Sequence, residues 1–147
     1  MTTLRDQVVE FHAAMDQPIR PSPSMIPDER VRLRAALIAE EFFETLEALF
    51  DDGLDIDLAK RCVIEVVEGG RVRIDMPALA DGLADLDYVV EGCRVEMGIN
   101  GGPIAAEVHR ANMTKVGGPI AANGKRLKPP GWTPPDIEGE LRKQGWR

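Results

Sequence analysis

Apolar residues recur at helical spacing over two long stretches of the chain. Leu33, Leu37, Ile38, Phe42, Leu46 and Leu49 fall on one side of the run RLRAALIAEEFFETLEALF, which is rich in strong helix formers. The pattern predicts a helix that begins at Pro27 or Asp28 and stops at Asp51, Asp52 and Gly53. Leu79, Leu83, Leu86, Val90 and Val95 predict a second helix, from Asp75, Met76 and Pro77 up to Gly98, with these residues as its buried stripe. Asp75 can cap the first amides, and Pro77 occupies a first turn that needs no intrahelical donor. A shorter helix through Leu4, Val8, Phe11 and Met15 precedes a proline-rich connector over residues 18–27.

Between the two long helices the pattern is mixed. DLAKR fits a short helix, whereas Cys62, Ile64 and Val66 alternate as strand residues do, with Val72 and Ile74 following the Gly69-Gly70 pair. A small β-hairpin at about 62–74 is therefore expected, with a helix prolonged through residues 60–68 as its rival. Further on, Gly101-Gly102-Pro103 separates the second long helix from a short one leading into HRANMTK. Repeated Gly and Pro after Lys115 argue against more long elements and leave a flexible tail over about 116–147. The expected architecture is all-α, a single domain over residues 1–147 whose helical core is finished by oligomerisation.

Composition narrows the possibilities. A chain of 147 residues can build one moderate core but hardly two independent ones, and 44% hydrophobic with 29% charged residues is ordinary for a globular protein. The formal charge of -7 opposes general affinity for a nucleic-acid backbone, and neither a membrane-spanning run nor a secretory leader is evident. Cys62 and Cys93 are too few for a zinc cluster and fit a reduced, cytoplasmic setting.

The polar positions carry the candidate chemistry. Glu41 and Glu44 share a helical face, with Glu40 beside them, and Asp81 and Asp85 can share a face on the second helix. Like charges at such spacing repel unless a cation compensates them. Magnesium, which takes oxygen ligands and bridges carboxylates to substrate phosphates, supplies one explanation. A solvated acidic face screened by salt is the other. His12, with no partner cluster in sequence, fits packing or a subunit contact.

The Glu-Glu-x-x-Glu pattern of Glu40, Glu41 and Glu44, with the later Asp85, resembles that of the all-α, MazG-like nucleoside triphosphate pyrophosphohydrolases. This group is related to dimeric dUTP diphosphatases and to phosphoribosyl-ATP pyrophosphohydrolase. The segments EVHRANMTK and NGKRLKPPGWTPPD also resemble a carboxy-terminal signature of a MazG-like subgroup, and the likeness runs from Phe11 to about Ile137. It implies a MazG-like helical bundle, a homodimer or dimer of dimers, and cleavage of a nucleoside triphosphate between its α and β phosphates. A dNTP is the substrate expected first, with Mg2+ or Mn2+ as cofactor. Glu41, Glu44 and Asp85 are then the implied metal ligands, and Glu40 is an outer or proton-accepting carboxylate. His109, Arg110, Asn112, Lys115, Lys125, Lys128 and Trp132 are the implied substrate contacts, with Arg126 adding charge to the same tail.

One departure stands out: Gly82 occupies the place of the Glu in the family's Glu-x-x-Asp helix. Asp81 either replaces that ligand or leaves a weakened site; replacement is the favoured expectation. Two alternatives therefore accompany the dNTP hydrolase: phosphoribosyl-ATP pyrophosphohydrolase, and a catalytically weak nucleotide-binding or regulatory protein of the same fold. Trp132 and Trp146 otherwise read as packing or interface aromatics.

Overall fold

A computed structural model describes residues 2–50, 56–122 and 125–147. Six helices follow one another: α1 (Leu4–Ala14), α2 (Asp28–Leu49), α3 (Ile56–Gly69), α4 (Met76–Met97), α5 (Gly101–Met113) and α6 (Ile137–Lys143). Among the described residues there is no sheet, only an isolated antiparallel bridge between Ile120 and Arg126. The all-α reading is correct.

Local chemistry sets the helix ends. Thr3 and Asp6 form a reciprocal capping box at the start of α1. Asp75 accepts from the Ala78 amide to open α4, and Gly98 closes it in the left-handed conformation at φ 70°. Asn100 caps α5 and Asp136 caps α6 in the same manner. Pro27 stands at the N-cap of α2 without a side-chain bond, as its lack of a polar side chain requires. The expected stop at Asp51, Asp52 and Gly53 lies outside the described residues; α2 ends earlier, at Leu49, with Phe50 extended.

Three expectations change. The hairpin at 62–74 is absent: residues 62–69 belong to α3, where Ile56, Lys60 and Val67 are the less exposed positions, four and seven residues apart. That is a helical period; Cys62, Ile64 and Val66, although they alternate as strand residues do, are all exposed. Gly101, Gly102 and Pro103 do not precede a helix but form the first turn of α5, where missing side chains and a missing amide are tolerated. The stripe on α4 is not buried in the chain: Leu79, Leu83, Leu86, Val90 and Val95 all remain exposed.

The chain divides into two compact units. One comprises Met1–Pro23, Asp75–Ala121 and Arg126–Arg147; the other comprises Ser24–Ile74 and Ala122–Lys125. In the first, α5 packs on α1 and on α6, and Met15 and Ala111 are buried. The Arg126 guanidinium donates to the carbonyls of Gly118 and Met15, tying the tail to the end of α1. In the second, α2 packs on α3, with Leu33 and Phe43 buried. Arg32 donates to the carbonyls of Val67 and Gly70, satisfying orphan acceptors at the end of α3. No helix among the described residues is long and apolar enough to cross a membrane.

Candidate functional site

The acidic face of α2 is the chemical focus of the second unit. Leu33, Glu40 and Phe43 are separated by seven and three residues, so Glu40 lies on the side of α2 that packs. Glu41 and Glu44 are exposed, and Glu44 stands one turn beyond Glu40. Lys125 places its ammonium 2.7 and 2.6 Å from the two carboxylate oxygens of Glu40. This contact joins an acidic candidate to a basic one that the sequence did not pair.

Asp81 and Asp85 lie on α4 in the first unit, both exposed and one turn apart. A Cβ added at Gly82 would meet no atom within 4 Å, so the missing side chain is not demanded by packing. Carboxylate pairs of this kind suit a hard divalent ion by donor type. Among the described residues, however, no group of three or more His, Cys, Asp or Glu side chains is gathered into a cluster that could hold a metal.

The basic candidates in the first unit divide between two environments. His109, mostly buried, places Nε2 3.2 Å from Glu10 on α1. Arg110 turns the other way: Nε and Nη2 donate to the two Glu107 oxygens, Nη1 to the Thr133 hydroxyl, and Nη2 to the Pro134 carbonyl. Glu107 also accepts from the Asp136 amide at the cap of α6. The Arg110 hydrogen bonds, followed by that amide, hold the Glu107 carboxyl down to about 2, and the same pairing raises Arg110. Arg110 thereby fastens the tail to α5 through groups that a phosphate would have to displace.

Lys128 lies over the Trp132 ring, 4.2 Å from its centroid, while the indole donates to the Ala111 carbonyl at the end of α5. Asn112 and Lys115 sit at the end of α5 and just after it, where the Lys115 amide donates to the Asn112 carbonyl. His12 places Nδ1 2.9 Å from the Pro18 carbonyl, a local structural contact. Asn123 and Gly124 of the tail signature lie outside the described residues. Sequence reading passed over Glu107, although its spacing of three from Arg110 on one helix announces the ion pair. Glu10 and Asp136 carried no comparable signal, because their partners are remote in sequence.

A family model described as phosphoribosyl-ATP pyrophosphohydrolase matches residues 8–112, most of the chain and all of α2 and α4. The chain belongs to that family. Among solved structures, a candidate NTP pyrophosphohydrolase from Exiguobacterium sp. 255-15 is 25% identical, covering 97% of this chain and 95% of that one, with a TM-score of 0.67. A search of curated proteins gave no match. The fold and the family are thus those of the pyrophosphohydrolases, and the matched segment contains both carboxylate pairs.

Proposed function

We propose that this protein is a metal-dependent pyrophosphohydrolase that cleaves a nucleoside triphosphate derivative between its α and β phosphates, releasing pyrophosphate. The observation that carries the reading is the paired placement of Glu41 with Glu44 on α2, and of Asp81 with Asp85 on α4, inside the segment matched by the family. The family's description puts phosphoribosyl-ATP ahead of the dNTPs as the substrate to try first, and the Exiguobacterium protein keeps nucleoside triphosphates in the comparison.

Glu41 and Glu44 on α2, and Asp85 on α4 with Asp81 in place of the ligand absent at Gly82, are each suited by donor type to Mg2+ or Mn2+. The ion would supply charge neutralisation on the phosphate chain and an acidified water. Lys125 and Lys128 are suited to the distal phosphates as compact, strongly charged donors. His109, Arg110, Asn112, Lys115 and Trp132 remain proposed substrate contacts; Arg110 would first have to leave Glu107.

We place the protein as a homodimer or dimer of dimers, supported by the length of α4 that carries exposed Leu and Val side chains. Pyrophosphate release should require a divalent ion and should fall by at least about a hundredfold in Glu44→Ala, in keeping with loss of a ligand or its support. Asp81→Ala should fall as well. Loss in Glu44→Ala with full retention in Asp81→Ala would remove Asp81 from the site.

A further inference from the structure

Glu40 differs from its neighbours in exposure, although Glu44 stands one turn along the same side of α2. It shares the packed side of α2 with Leu33 and Phe43, while Glu41 and Glu44 are exposed. A carboxylate drawn partly out of water needs a compensating charge. Lys125 provides it, 85 residues away in sequence, with its ammonium against both oxygens. The ammonium spans both oxygens and leaves each a further lone pair, so the contact fixes where Lys125 sits rather than closing the carboxylate. Side chains with 38% and 35% exposure also gain little stability from pairing, so the pair's consequence is positional.

We propose that Glu40 is a positioning residue that holds Lys125 beside the Glu41 and Glu44 carboxylates, where the lysine binds the phosphate chain of the substrate. The inference rests on the pyrophosphohydrolase reading and gives Glu40 a task other than metal ligation or proton transfer. It has a directional consequence. An ammonium next to the acidic face repels a bare divalent ion but attracts the polyphosphate that accompanies one, so ion and polyphosphate strengthen each other's binding through Lys125. The protein then favours the metal–polyphosphate complex over the free ion.

Calorimetric titration of the full chain with Mn2+ alone, and with preformed Mn2+–tripolyphosphate, tests this without any turnover. Lys125→Met should bind Mn2+–tripolyphosphate about tenfold or more weakly, as expected for losing a charge-assisted contact. It should bind bare Mn2+ as tightly as the unaltered protein, or more tightly. Glu40→Gln should shift Mn2+–tripolyphosphate affinity in the same direction, and the double variant should be no weaker than Lys125→Met alone. Lys125→Arg should keep most of the affinity and guards against misfolding of the methionine variant.

Loss of bare Mn2+ binding in Glu40→Gln would overturn the proposal by making Glu40 a ligand. Equal Mn2+–tripolyphosphate affinity in Lys125→Met and the unaltered protein would overturn it too, as would no binding of that complex by the unaltered protein. Turnover separates the two readings. Absence of pyrophosphate release with the Lys125 effect present would remove the hydrolase assignment alone, whereas turnover with an unchanged KM in Lys125→Met would remove the positioning role alone.

Discussion

At the scale of single residues, the clearest energetic statements concern Phe43, Glu107 and Gly82. Phe43 is 4% exposed on α2, so Phe43→Ala should lower stability by about 3–5 kcal/mol in denaturant unfolding. Glu107 is held at about 2 by Arg110 and the Asp136 amide, below the ordinary 4.5. A depressed acid stabilises the fold fully above its ordinary value and loses that contribution as pH falls through the depressed one. The Glu107 carboxyl carbon should accordingly titrate in NMR with a midpoint near 2, and Arg110→Ala should move that midpoint back towards 4.5. Gly82 stands in the interior of α4 with open space around its Cα, so Gly82→Ala should raise stability by roughly 0.5–1 kcal/mol. Gly82→Glu likewise meets nothing at its Cβ. It should tighten Mn2+ binding if the family ligand position is vacant, and leave it unchanged if Asp81 already serves.

At the scale of elements, the long helices were legible because their signals were redundant. Asp75, Pro77 and Gly98 mark the ends of α4 by three separate chemistries, and the structure uses all three. The hairpin expectation over 62–74 failed because β-branched residues dominate α3, and their alternation competes with a helical period set by Ile56, Lys60 and Val67. Helix α6 was hidden by the prolines around it; its start depends on Asp136, whose own amide bonds to Glu107 from another helix. The pairing of Glu40 with Lys125 was equally hidden, since no local pattern joins residues so far apart. On α4 the apolar positions were read correctly but their burial was not, because the chain alone leaves them uncovered. If a second copy covers that face, Leu83→Glu combined with Leu86→Glu should convert the assembly to a monomer in light scattering and leave helix content unchanged in circular dichroism. An unaltered protein that is already monomeric and fully active would contradict the proposed assembly.

At the scale of the whole molecule, family and fold are those of the pyrophosphohydrolases, and the acidic helix faces carry donors of the type a divalent ion takes. The family match covers residues 8–112 and contains both carboxylate pairs, and the related structure spans nearly the whole chain. Substrate preference is less legible in sequence because a base or sugar pocket is assembled from groups scattered along the chain. The most direct measurement is product formation from phosphoribosyl-ATP, the four common dNTPs, dUTP and the ribonucleotides with Mg2+ or Mn2+, resolving pyrophosphate from inorganic phosphate. The account predicts pyrophosphate and the corresponding monophosphate in equal amounts, only when a divalent ion is present. Inorganic phosphate as the sole product, or no turnover of any of these nucleotides by the folded protein, would contradict it.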